Sequence, residues 1–161
     1  MKLVQWTRAG CAGLVLSFLT VWMPDAQADN KTFLPSTMLK AYQTECAACH
    51  LAYPPAMLPA QSWAHLMKGL EDHYGTDASI DAETLREVSG WLQVNAGGYK
   101  RVREAPPDDR ITQSDWFVRK HREVGTEVWL RPAIKRASNC SACHTQAEQG
   151  DYRERNIRIP Q

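Results

Sequence analysis

Two short segments, residues 46–50 (Cys-Ala-Ala-Cys-His) and 140–144 (Cys-Ser-Ala-Cys-His), constrain this chain more than any other feature. Each has the spacing C-x-x-C-H, the attachment signature of a c-type haem. The two thiols reach the two vinyl groups on one porphyrin edge, and the following histidine brings an imidazole nitrogen to the iron. The sequence therefore predicts two covalently bound haem c groups, attached through Cys46, Cys49, Cys140 and Cys143, with His50 and His144 as iron ligands.

Other sites also use C-x-x-C pairs, and two of them need weighing. Four cysteines could form a structural zinc site, and one pair could be a thioredoxin-like redox dithiol. Zinc does not require a histidine directly after each pair. A thioredoxin motif begins a βαβ unit, and the sequence shows no βαβ pattern. Haem attachment is therefore the favoured interpretation.

The first 28 residues have the pattern of a secretory signal peptide. Lys2 and Arg8 precede an apolar run over residues 9–23, and Ala26-Gln27-Ala28 is an A-x-A cleavage signal. An uncleaved anchor is the alternative, but the run is short for a transmembrane helix. We expect cleavage after residue 28, a soluble mature protein and a periplasmic location, where c-type haems are attached.

Charge and hydrophobic pattern favour a small, mostly α-helical protein. Nineteen basic and eighteen acidic residues nearly balance, and no basic stripe indicates nucleic-acid binding. The charged segment from Tyr99 to Arg110, which contains Pro106-Pro107-Asp108-Asp109, indicates a linker, so we expect an N-terminal haem lobe over residues 29–98 and a C-terminal haem lobe over residues 99–161. Long irregular connections should join the helices.

Capping residues and hydrophobic periodicity predict where the helices begin. Ser36 should start a helix that leads into the first motif, and Ser62 should start one from Trp63 to Tyr74. Further helices are expected from Asp81 and from Ser114, and Asn139 should cap the helix that bears the second motif.

The sixth ligand decides what each iron does. Methionine raises the reduction potential, a second histidine lowers it, and an open position admits small molecules. After residue 28 the methionines are Met38, Met57 and Met67, all in the first half. Only a short tail follows His144, and it contains no methionine. The second iron therefore cannot take a methionine from downstream of its C-x-x-C-H motif, as the iron of a mitochondrial cytochrome c does.

Three histidines remain for the second axial positions: His65, His73 and His121. His73 and His121 are expected near buried helix faces, whereas His65 should be exposed. We therefore expect bis-histidine ligation, with His50 paired to His73 and His121 to His144. A crossed arrangement that pairs His50 with His121 stays open, as does ligation of the first iron by Met57 or Met67.

The residues around these motifs resemble the bacterial dihaem cytochrome c family called DHC. In the first half the resemblance lies in Glu45 to Pro55, Leu58-Pro59, Ser62-Trp63, Leu66-Met67 and His73 to Ala78. In the second half it lies in a histidine ahead of Asn139-Cys140, in Ala142-Cys143-His144, Ala147-Glu148 and Gly150. Tyr74 stands where the family leads us to expect phenylalanine, which is a conservative difference.

The resemblance implies two low-potential bis-histidine haems, with second ligands at the positions of His73 and His121. It also implies a periplasmic electron carrier rather than an enzyme. Family members donate electrons to a small monohaem cytochrome, the sphaeroides haem protein, and a membrane b-type cytochrome is the expected donor. The alternative is a small dihaem peroxidase or a gas-binding cytochrome with one open iron. Either of these differs from a carrier in needing an accessible iron.

Overall fold

The structure is a computed structural model that describes residues 34–161. In this range, five α-helices follow one another along the chain: α1 (Lys40–Cys46), α2 (Ala60–Lys68), α3 (Ala82–Asn95), α4 (Asp115–Lys120) and α5 (Thr126–Trp129). Short 3-10 helices lie between and after them: Pro55–Met57, Leu70–Asp72, Lys100–Val102, Pro107–Asp109, Ile111–Gln113, Cys140–Ala142, Ala147–Gln149 and Glu154–Asn156. The prediction of a mostly α protein with long irregular connections is confirmed.

The starts of α3 and α4 are where the capping residues predicted them. One carboxylate oxygen of Asp81 accepts hydrogen bonds from the backbone N–H groups of Glu83 and Thr84, each at 3.0 Å. The hydroxyl of Ser114 accepts from the N–H of Phe117 at 3.3 Å. Both contacts satisfy N–H groups that the first helical turn leaves without an intrahelical partner.

The other three predicted starts were wrong. Helix α1 has Leu39 rather than Ser36 at its N-cap, and α2 has Pro59 rather than Ser62. Proline suits the first positions of a helix because its missing N–H is not needed there. Asn139 precedes a 3-10 turn and donates its side-chain amide to the carbonyl of Ile134 at 3.2 Å instead of capping.

A buried cluster from α1, α2 and α3 forms the core of the first half. Its members are the fully or nearly fully buried residues Tyr42, Leu58, Trp63, Met67, Val88 and Leu92. The hydroxyl of Tyr42 donates to the carbonyl of Tyr53 at 2.6 Å, and the indole N–H of Trp63 donates to that of Pro55 at 2.8 Å. The Tyr42 hydroxyl and the Trp63 indole N–H therefore both have hydrogen-bond partners inside the core. These two bonds also connect the loop after the first motif to the core.

The C-terminal part contains little regular structure. Isolated β-bridges pair His144 with Ile157 and Gln146 with Asp151, so the last residues fold back over the second motif. The buried carboxylate of Asp151 accepts from the guanidinium and backbone N–H of Arg153 and from the side-chain amide of Asn156. These polar contacts hold the C-terminal segment together.

All described residues belong to one compact unit. The division into lobes 29–98 and 99–161 stays a prediction, and the expected signal peptide lies outside the described residues. Among residues 34–161, no helix combines the length and apolar character needed to cross a bilayer.

Candidate haem-binding sites

The four motif cysteines lie in two separate segments of the chain, and none of them forms a disulfide. Cys46 is the last residue of α1, and Cys140 begins a 3-10 turn. Burial, reinforced by the negative charge of Glu45, raises the pKa of Cys46 to about 11. Burial likewise raises the pKa of Cys140 to about 11, so both thiols are neutral at physiological pH.

This chemistry disfavours the two alternatives for the cysteine pairs. A redox dithiol needs a thiolate with a lowered pKa, and here burial acts in the opposite direction. In the part of the chain that the structure describes, no three or more His, Cys, Asp or Glu side chains cluster closely enough to hold a metal ion. The two pairs therefore do not combine into a four-cysteine zinc site.

The structure brings His50 beside His73. Their ring centres lie 6.2 Å apart, and the ring planes meet at 27°. Nδ1–H of His50 donates to the carbonyl of Leu51 at 2.7 Å, and a carbonyl can only accept, so the proton is on Nδ1. In the neutral imidazole, Nε2 of His50 then has the lone pair that a metal ligand needs.

His73 lies in a turn and not on a helix, which corrects the predicted helix from Trp63 to Tyr74. Helix α2 ends at Lys68, and the residues from His73 to Thr76 form a tight turn in which the N–H of His73 donates to the carbonyl of Thr76 at 2.8 Å. Tyr74 and Gly75 both have positive φ angles, 56° and 89°. Such a turn suits glycine but costs energy at Tyr74.

Contacts from the linker hold this turn in place. The hydroxyl of Tyr74 donates to the carbonyl of Asp108 at 2.9 Å, and the guanidinium of Arg110 lies 4.0 Å from the centre of its ring. A phenylalanine would lack the first contact, so the tyrosine at position 74 adds a link between the turn at His73 and the linker. Burial, with smaller contributions from His50 and Arg110, lowers the pKa of His73 and favours the neutral imidazole that a metal requires.

His121 and His144 form the second pair. Their ring centres lie 6.1 Å apart, with the planes at 80°. Nδ1–H of His121 donates to the carbonyl of Phe117 at 2.9 Å, which again leaves Nε2 with its lone pair. Burial, assisted by the neighbouring His121, lowers the pKa of His144. His121 was predicted to lie on helix α4, but this helix ends at Lys120 and His121 is its C-cap.

Aromatic rings pack around both pairs, and sequence reasoning did not assign them individually. Tyr53 stacks on His50 with ring centres 5.0 Å apart, and Phe117 stacks on His121 at 3.9 Å. The ring of Tyr152 lies 5.1 Å from that of His144. Aromatic residues within a few positions of each predicted ligand are the signal that could have identified Tyr53 and Phe117, but Tyr152 comes close only because the C-terminus folds back.

His65 and the buried methionines have other surroundings. As expected, the side chain of His65 is exposed, and its Nδ1 lies 3.3 Å from a carboxylate oxygen of Asp109. Met67 belongs to the buried core cluster, and Met57 is 3% exposed. The contact with Asp109 accounts for the position of His65, and packing accounts for the two methionines.

Comparison with known proteins now decides the family. The family model for the dihaem cytochromes c (DHC) matches residues 42–152, which contain both motifs and both histidine pairs. The chain belongs to the dihaem cytochrome c family. The family binds two haem c groups, and its members are electron carriers.

Solved structures agree with this membership. A dihaem cytochrome c from Rhodobacter sphaeroides is 39% identical, covers 72% of this chain and 98% of its own, and superposes with a TM-score of 0.65. One from Shewanella baltica is 33% identical, covers 75% of this chain and 92% of its own, and has a TM-score of 0.67. No curated protein sequence matches this chain.

The histidine pairs of this dihaem cytochrome fit a haem iron between their rings. A metal–imidazole distance of about 2 Å on each side puts the ring centres of two opposed ligands about 6 Å apart. The observed separations are 6.2 Å and 6.1 Å. Two free thiols precede one histidine of each pair, as covalent attachment requires.

Proposed function

We propose that this chain is a periplasmic electron carrier with two low-potential, bis-histidine haem c groups. In this proposal Cys46 and Cys49 hold the first haem, and Cys140 and Cys143 hold the second. His50 and His73 are the axial ligands of the first iron, and His121 and His144 are those of the second. The spacing of the two histidine pairs is the observation that carries the proposal.

Each histidine pair would fill both axial positions of its iron, so that both irons would be six-coordinate. Each haem supplies one-electron redox chemistry. The backbone carbonyls of Leu51 and Phe117 orient His50 and His121 and keep the proton on Nδ1. Bis-histidine ligation favours a lower potential than histidine–methionine ligation does. A six-coordinate iron offers no position to oxygen or peroxide, which favours a carrier over a peroxidase or a gas-binding cytochrome.

The proposed redox partners and location of this carrier rest on the resemblance to its family. A membrane b-type cytochrome is the proposed donor, and a small soluble monohaem protein such as the sphaeroides haem protein is the proposed acceptor. A cleaved signal peptide over residues 1–28 would deliver the chain to the periplasm. The mass of the mature holoprotein, isolated from a periplasmic fraction, tests cleavage after residue 28 and the presence of two haems together.

Spectroscopy of the oxidised holoprotein tests the ligands. We expect only low-spin signals in low-temperature EPR and bis-histidine charge-transfer bands in near-infrared MCD. H73M should change one haem to histidine–methionine spectra, and H121M should change the other. H65Q is the matched control and should leave both haems unchanged, since His65 faces Asp109.

Two results would contradict the proposal. A high-spin signal in the wild-type protein, or carbon monoxide binding to the reduced protein, would mean that one iron is open. If H65Q changed the spectrum and H73M did not, the second ligand of the first haem would be a residue other than His73.

A further inference from the structure

The C-terminal segment is hydrogen-bonded to the second motif and to the segment after α5. The N–H of Arg158 donates to the carbonyl of Cys143 at 2.8 Å. A guanidinium N–H of Arg131 donates to the carbonyl of Pro160 at 2.7 Å. These bonds bring the segment after α5, the second motif and the chain end together. We call this region the C-terminal surface and define it by Leu130, Arg131, Arg155, Arg158 and Ile159.

Two large aliphatic side chains are exposed on the C-terminal surface. Leu130 is 76% exposed and Ile159 is 45% exposed. Arg131, which follows Leu130, is hydrogen-bonded to Pro160, which follows Ile159. Each exposed aliphatic side chain offers a small apolar contact, and we refer to these two residues together as the apolar centre of this surface.

Cations dominate the charge around this apolar centre. Over residues 130–161 there are six basic and three acidic residues, and the buried Asp151 is paired with Arg153. Over residues 34–98 the balance is reversed, with three basic and seven acidic residues. The side chains of Arg155 and Arg158 are exposed, and the charge of Arg131 acts on Cys143. Arg131 and the backbone of Arg158 therefore lie near Cys143, which is proposed to hold the second haem.

We propose that the C-terminal surface is the docking site for a redox partner protein that has an acidic rim around its own redox centre. The inference rests on the proposed function, because Cys143 would place the second haem next to this surface. Opposite charges speed and orient the encounter. Leu130 and Ile159 then supply the dry contact at the centre of the interface. The acidic first half would repel the same partner, so docking is directed to the second haem.

Stopped-flow electron transfer into the oxidised holoprotein tests this docking site. Reduced plant-type ferredoxin, a small acidic protein with a strongly negative reduction potential, serves as the probe. At low ionic strength we expect R158E and R155E each to lower the second-order rate constant roughly fivefold and to weaken its salt dependence. L130S should lower the rate constant at both low and high salt, since its contribution is not electrostatic.

Matched variants in the acidic half provide the controls. R86E removes an exposed cation, and V94S removes a valine that is 84% exposed. Both should leave the rate constant within about twofold of wild type. Equal effects of R158E and R86E, or no effect of either, would overturn the proposal.

Two results that identify a different binding partner for the C-terminal surface would also overturn the proposal. If the wild-type protein sedimented as a dimer that R158E dissociates, while the ferredoxin rates stayed unchanged, the surface would bind a second copy of the chain. Flotation with phosphatidylglycerol vesicles that R158E abolishes, again with unchanged rates, would identify an anionic lipid surface. The EPR spectrum of the wild-type protein tests the ligands independently, so failure of the proposed function is distinguishable from failure of this docking site.

Discussion

The hydroxyl of Tyr53 donates a 2.7 Å hydrogen bond to the carbonyl of Ser138, 85 residues further along the chain. Ser138 lies two residues before Cys140, and the ring of Tyr53 stacks on His50. One side chain thus joins the proposed ligand of the first haem to the attachment segment of the second. The distance and orientation of the two haems should depend on this contact.

Replacement of Tyr53 by phenylalanine should remove this connection while keeping the ring. Burial, with a contribution from Cys140, raises the pKa of Tyr53 to about 12, so the hydroxyl stays a neutral donor. We expect Y53F to lower the free energy of unfolding of the holoprotein by about 1 kcal/mol, measured by guanidinium denaturation. Y99F is the control, because its hydroxyl makes an exposed 3.4 Å contact, and an equal loss in both variants would contradict a special role for Tyr53.

The two haems should give different EPR signals, because their histidine planes differ. The planes meet at 27° for His50 and His73 and at 80° for His121 and His144. Nearly parallel ligand planes split the iron d orbitals strongly and give a rhombic low-spin spectrum. Nearly perpendicular planes give a highly anisotropic signal with a large maximum g value. In oxidised protein we expect one signal of each kind, and H121M should abolish the anisotropic one. Two identical rhombic signals would mean that haem binding realigns the second pair.

Asp151 should make the C-terminal segment sensitive to acid. Hydrogen bonds from the side chain and backbone of Arg153 hold its pKa well below the ordinary value of 3.8. A carboxyl whose pKa is lower in the folded state stabilises the fold above its unfolded pKa, and this stabilisation is lost as the pH falls through the folded pKa. D151N should therefore be less stable than wild type at pH 7 but should approach it below about pH 4, as followed by circular dichroism. E148Q, at an exposed carboxylate nearby, is the control and should keep the wild-type pH dependence.

The core of the first half should be sensitive to the removal of packed atoms from α3. Leu92 is fully buried, and Val94, two positions later on the same helix, is 84% exposed. L92A should cost about 2–5 kcal/mol of unfolding free energy through the cavity that it leaves. V94A should change the unfolding free energy by less than about 0.5 kcal/mol. Similar losses in thermal or guanidinium unfolding would mean that α3 packs with a different face inward.

Features that depend on neighbouring residues could be predicted from the sequence. The two C-x-x-C-H motifs and their surroundings identified the family before any fold was known. The starts of α3 and α4 were correct because the capping side chains of Asp81 and Ser114 bond to N–H groups only two or three residues away. The same kind of reasoning failed at α2, where Pro59 is the N-cap and Ser62 lies inside the helix.

Features that depend on distant residues were decided only by the tertiary structure. The sequence by itself determined the two haem c groups, the mostly α fold and a short set of candidate ligands, because residue type and local spacing suffice for these. The juxtaposition of His73 with His50 and of His121 with His144 depends on a strained turn at Tyr74 and on the path of the chain. The contact from Tyr53 to Ser138 and the return of the C-terminus over Cys143 likewise join segments far apart in sequence. Local patterns carry no information on such pairs, since packing of the whole chain brings them together.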